Sequence, residues 1–164
     1  MDKRVDQLRE ASNPLFGPAR LKLGTFCTNL SGGCTMSSID GLLEADWPST
    51  VTLAQMADEM GFEALVPVGR WKGFGGATDF NSAGFECYTW AAAIGALTRR
   101  ASVFATSHVP TVHPVMAAKQ GTTIDHISKA PERQTLVRKA VISRLTRAQR
   151  LASLGSKTIH WVPI

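Results

Sequence analysis

A chain of 164 residues with 44% apolar content is long enough for one globular domain with its own core, and its composition excludes wholesale disorder. Its three cysteines, Cys27, Cys34 and Cys87, are odd in number and form no CxxC pair, so neither a disulfide framework nor a zinc site is expected and a reducing, cytoplasmic setting fits. The net charge of +5 hides a boundary: residues 1–128 carry ten basic against twelve acidic side chains, whereas residues 129–164 carry eight against one.

Residues 1–19 read as a lead-in punctuated by Pro14, Gly17 and Pro18, charged and without the apolar centre of a secretion signal. No apolar run in the chain approaches the roughly 20 residues that cross a bilayer. Leu21 to Cys27 is a short apolar run suited to a buried strand, followed by a loop rich in Ser and Gly up to about Pro48. Pro48 and Ser49 then open a helix whose Leu53, Ala57 and Met60 share one stripe, and Gly61 stands where a helix ends in a left-handed residue. Phe62 to Val68 is the second strand.

A helix from Phe85 to Leu97 puts Trp90, Ile94 and Leu97 on one side, with Arg99 and Arg100 facing its negative C-terminal end. Ala101 to Ser107 is the third strand. Pro114 suits a first helical position, and Ala117, Gly121, Ile124 and Ile127 form the stripe of the next helix. Strand and helix thus alternate three times, the pattern of a parallel α/β fold with right-handed crossovers. A closed (β/α)8 barrel takes eight units and about 250 residues, so periodicity leaves a partial barrel and a small open sheet both standing. In the basic tail, Val137, Val141, Leu145, Ala148 and Ala152 recur at helical spacing among five Lys and Arg residues, which predicts an amphipathic helix and not a further strand.

Two segments carry candidate chemistry. Val68 to Phe80 follows the second strand, at the strand end where α/β folds bind ligands. Gly73, Gly75 and Gly76 would let the backbone approach a ligand and Arg70 and Lys72 supply positive charge, although the same glycines equally suit a tight turn. Neither GxxxxGK[ST] nor GxGxxG is present. After the third strand, Thr106, Ser107 and His108 could bond a ligand ring or a substrate oxygen. His108 and His113 lack the carboxylate or cysteine partners of a metal site. Asp125 and His126 read as caps or salt-bridge partners of a scaffolding helix. Phe26 and Cys27 end the first strand, where core packing and a pocket-facing role are both open. No Ser/His/Asp triad or paired-carboxylate device is present.

The block from Gly61 to His113 resembles the flavin-dependent monooxygenases related to bacterial luciferase, most closely their dimethylsulfone and alkanesulfonate branch. Pro67, Val68, Gly69 and Arg70 match a PxGR segment, Gly73 to Gly76 with Phe80 match a GFGG segment of the pyrimidine and dimethylsulfone oxygenases, and Ala117 to Ser128 (AAKQGTTIDHIS) matches a helix of the same relatives. The resemblance implies a partial TIM barrel: a lead-in over 1–19, the first three βα units over 20–128, and an unrelated tail over 129–164. It implies FMN bound at Gly69 (through its backbone), Arg70, Thr106 and Ser107, and a substrate near His108 and Phe26; it names no catalytic group. It further implies FMNH2 supplied by an NAD(P)H:flavin reductase, O2 as co-substrate and a small sulfone or sulfonate as substrate. No specific nucleic-acid partner is expected, and a homo-oligomer is left open. Two other readings accompany it. After Ser128 the family's Gly-Gly-Arg-Phe is replaced by Lys129-Ala130-Pro131-Glu132, so a truncated, inactive relative fits as well. The basic tail also suits docking on an anionic surface, though it lacks aromatic anchors.

Overall fold

A computed structural model of the chain describes residues 13–108, 110–128 and 141–143. The expected strands are present in shortened form as β1 (Gly24–Phe26), β2 (Ala64–Val66), β3 (Ser102–Val103) and β4 (Ala105–Ser107), the last two being one expected strand interrupted at Phe104. β1, β2 and β3 form one parallel sheet in that order, with Thr25 opposite Leu65 and Leu65 opposite Val103. The Phe104 amide still donates to Leu65 O at 2.9 Å, so the interruption does not detach the chain from its neighbour.

Each helix starts where a side chain can satisfy its orphan amides. In α1 (Trp47–Glu59) Asp46 is the cap: its Oδ1 accepts from Ser49 N at 2.8 Å. Hydrogen bonds from the Ser49 side chain and amide hold that carboxyl below its ordinary value. α2 (Cys87–Leu97) is capped by Glu86, whose two carboxylate oxygens accept from Tyr88 N and Thr89 N at 3.0 and 2.8 Å. α3 (Pro114–Ile127) has Pro114 at its first position, as expected, and His113 Nδ1 accepting from Val115 N at 3.3 Å. Gly61 ends α1 at φ +85°, where only glycine is unstrained.

The core lies between the sheet and these helices. Leu65 and Val103 from the strands meet Trp90, Ala91 and Ile94 of α2, Ala54 and Ala57 of α1 and Ile124 of α3. Trp90 is 2% exposed and is the largest fully buried side chain. Asp58, buried on α1, accepts from the amides of Arg99, Arg100 and Ala101 at 2.7, 2.7 and 2.6 Å. One carboxylate therefore fixes the turn that feeds β3, and these arginine backbones are held by it.

Four expectations need correction. The buried face of α1 is Thr50, Ala54, Ala57 and Asp58, and Met60 is 71% exposed, because the helix has ended at Glu59 and its periodicity does not run past the cap. Leu97 and Ile127 are likewise exposed, as the last residues of α2 and α3. Phe26 is 60% exposed and takes no part in the core. Its register partner is Val66 on the sheet face opposite Leu65, and the helices cover only the Leu65 side.

The fourth concerns the tail. Val141–Ser143 is a strand, β5, parallel to β4 with Val141 opposite Ala105 and Ser143 opposite Ser107. The rest of the expected tail helix lies outside the described residues. A β-branched pair meeting an unpaired strand edge gains a ladder of backbone hydrogen bonds, and this outweighs helical spacing over so short a run. Among the described residues no helix is long and apolar enough to cross a membrane, and no group of three His, Cys, Asp or Glu is placed to hold a metal.

Candidate functional site

The strand ends are tied together by two amide side chains that sequence reasoning passed over. Asn29, wholly buried, accepts from Val68 N at 2.8 Å and donates to Val68 O and Phe85 O at 3.0 and 3.1 Å. It acts as a surrogate peptide group, joining the loop after β1 to the end of β2 and the start of α2. Asn81, at φ +57°, donates to Ser31 O and Gly33 O at 3.0 and 3.1 Å and so holds the loop after β1 against the loop after β2. Buried Asn residues in loops were the available signal, but spacing does not say which carbonyls they will meet.

Between these ties lies a cleft of about 350 Å³ whose walls include Gly69, Arg70, Trp71, Cys87, Thr106 and His108. Alternation along the third strand explains its membership. Val103, Ala105 and Ser107 are buried, while Phe104, Thr106 and His108 are half-buried on the opposite side. The Thr106 hydroxyl donates to Pro67 O at 2.7 Å and registers this strand end on that of β2. The cleft therefore brings together four of the six residues singled out from sequence: Gly69, Arg70, Thr106 and His108. Ser107 does not line it, because the pleat turns its side chain to the buried face. Phe26 does not line it either.

The aromatic groups set its electrostatics. The Arg70 guanidinium lies 4.2 Å above the Phe74 ring, which stacks on Phe80 at 5.7 Å. A cation over a ring face is held in place without losing its charge. Trp71 meets His108 edge-on at 5.4 Å. Arg70 Nε and His108 Nε2 are both buried with no hydrogen-bond partner among the described residues. A Cβ on Gly69 would stand 2.7 Å from His108 Nε2, so any larger residue would displace the imidazole.

A Cβ on Gly73 would meet the Ser82 backbone at 2.6 Å, and Gly75 and Gly76 take φ of +69° and +74° facing open space. The turn alone accounts for all three. The start of α2 also borders the cleft, but Glu86 occupies its first amides. Burial, with the Glu86 charge beside it, pushes the Cys87 thiol up to about 11, so it stays protonated near neutral pH. A larger groove of about 560 Å³ runs along the loop after β1, yet it is lined by Asp40, Glu44, Asp46 and Asp79. Four carboxylates repel an anionic cofactor, so the smaller cleft beside Arg70 is the candidate site.

Parallel strands with an aromatic-rimmed cleft at their C-terminal ends, Arg70 on one wall and Glu86 on another, define a class of α/β ligand-binding proteins. Sequence comparison narrows the class: residues 21–130 match the model of the luciferase-like monooxygenase family, and the chain belongs to that family. It is 31% identical over 108 residues to the pyrimidine monooxygenase RutA of a Bradyrhizobium species and 30% identical over 108 residues to that of Serratia proteamaculans, in each case 66% of this chain and 30% of the relative. It is 37% identical over 76 residues to the same enzyme of Pseudomonas syringae, 46% of this chain and 21% of the relative. The chain thus spans less than a third of the length of the curated relatives it matches. These relatives are named for pyrimidines, and the dimethylsulfone and alkanesulfonate branch expected from the sequence finds no support among them.

Proposed function

We propose that this chain carries flavin-facing strand ends of an FMNH2-dependent monooxygenase, its strand–helix units being the opening part of a (β/α)8 barrel. The observation that supports this most directly is the pair of buried, unpartnered nitrogens, Arg70 Nε and His108 Nε2, in one cleft among the described residues. Buried polar atoms of this kind need a partner. The carbonyl and ring-nitrogen edge of an isoalloxazine offers acceptors of matching kind, and the Arg70 charge suits an electron-rich ring.

When bound, reduced flavin delivered by an NAD(P)H:flavin reductase supplies the electrons that activate O2. The chain's own part is to bind, orient and keep water out. Arg70, steadied on Phe74, presents fixed positive charge to the ring or to a substrate anion. Gly69 contributes backbone only, since His108 fills the space beside it. Thr106, its proton committed to Pro67 O, offers the cleft an acceptor. Ser107 contributes through its backbone and by packing beneath the site. His108, braced by Trp71, faces the substrate side. The substrate proposed is a pyrimidine or a similar cyclic amide, following the names of the relatives, in place of a sulfone or sulfonate.

Anaerobic titration of the full chain with reduced FMN tests the reading. Saturable binding is expected, weakened at least about tenfold, or roughly 1.4 kcal/mol, in Arg70→Ala, with far-ultraviolet circular dichroism unchanged. Absence of saturable binding by the unaltered chain would refute it and favour a family member that has lost cofactor use. Assay with a flavin reductase and O2, comparing uracil with dimethylsulfone, then decides the substrate class.

A further inference from the structure

Outside the cleft, the loop after β1 holds two thiols in reciprocal positions. Cys27 Sγ donates to the carbonyl of Gly33, the residue before Cys34, at 3.0 Å; Cys34 Sγ lies 3.7 Å from the carbonyl of Phe26, the residue before Cys27. Each sulfur thus rests against the peptide that leads into the other, which closes the intervening loop into a ring. The ring is held from outside as well. Asn81 donates to the same Gly33 carbonyl at 3.1 Å, and Cys27 N is fixed to Val66 O at 2.9 Å. Cys27 adopts φ +65°, a left-handed conformation rare for a side-chain-bearing residue, and it turns the chain here directly out of the strand.

The two sulfurs differ in access. Cys34 is exposed, whereas Cys27 and Cys87 are buried. Burial first, and the nearby Cys34 thiol second, push Cys27 up to about 11, so it remains a protonated reserve beside its reachable neighbour. Exposed and buried thiols in one rigid loop are the arrangement of an attacking and a resolving cysteine.

We propose that Cys34 and Cys27 are a peroxide-reactive dithiol that closes to an intraloop disulfide. The oxidant is hydrogen peroxide. The Cys34 thiolate attacks one peroxide oxygen; the S–O bond forms as the O–O bond breaks, and the departing hydroxide takes a proton to leave as water. The Cys27 sulfur then attacks Cys34; the S–S bond forms as the S–O bond breaks, and the hydroxide leaves with the Cys27 proton as a second water. Two electrons pass from the thiols to the peroxide. This is one reversible bridge and not the multi-disulfide framework that the cysteine count argues against, and it requires no flavin.

Intact-mass and non-reducing peptide analysis of the reduced full chain, treated with one equivalent of hydrogen peroxide, is the test. The expected product has lost the mass of two hydrogens and contains the Cys27–Cys34 peptide pair, reverting with dithiothreitol. Cys34→Ser should abolish the bridge completely, and being a surface change it keeps the test valid should the buried variant fail to fold. Cys87→Ser should bridge as the unaltered chain does. Cys27→Ser should instead leave Cys34 as a sulfenic acid captured by dimedone. An unchanged mass, a bridge to Cys87, or bridging only between chains would overturn the proposal.

Discussion

The two faces of the sheet are in opposite condition. On one, Leu65 and Val103 are wholly enclosed by α1 and α2; on the other, Phe26 is 60% exposed and Thr106, His108 and Arg70 border a cleft. The covered face is assembled from apolar residues and small side chains that let helices approach. The open side mixes aromatic rings with the Arg70 charge and the polar side chains of Thr106 and His108. Core packing and the candidate site are thus segregated by the pleat, residue by alternate residue, along the third strand.

The largest effect that would separate the two faces is expected from Trp90→Ala. Removing the most voluminous buried side chain should cost about 3–5 kcal/mol, measured by denaturant unfolding, and a loss below about 1 kcal/mol would mean the covered face is not the core. An intermediate effect belongs to Asn29→Ala at the boundary between the regions. It strands the Val68 amide and two carbonyls, for about 1–3 kcal/mol. It should also weaken FMN binding, because Val68 leads into Gly69 and Arg70; Trp90→Phe, by contrast, should leave binding intact while lowering stability. If Asn29→Ala altered stability alone, the strand ends would not depend on this tie. The smallest effect is expected from Phe26→Ala, within about 0.5 kcal/mol of the unaltered chain as for an exposed surface position. A large loss there would show that the open face is packed against something.

Much of the scaffold was readable beforehand because it rests on local chemistry. Pro114 at a helix start, Gly61 at a helix end, and three apolar runs separated by helical stripes each report a neighbourhood of a few residues. Arg70, Thr106 and His108 could be nominated because strand ends in parallel folds converge. Ser107 could not be told from Thr106, since the pleat phase depends on which face the helices choose. The glycines at 73, 75 and 76 read both as room for a ligand and as a tight turn, and the turn geometry uses all three. The tail misled for a related reason. Helical spacing of Val137, Val141 and Leu145 is a one-dimensional signal, and the free edge of β4 that captures Val141–Ser143 is not in that signal.

The order of residues carried the alternation of strand and helix, the boundary residues Gly61 and Pro114 and the family membership, because each depends on contacts between near neighbours or on side-chain identity. Long-range assembly settled the rest. Asn29 selecting carbonyls 39 and 56 positions away and Asp58 gathering three amides 41 to 43 positions away are pairings between distant segments. Their partners are set by where packing leaves a buried polar atom unsatisfied, and a linear string does not contain that information.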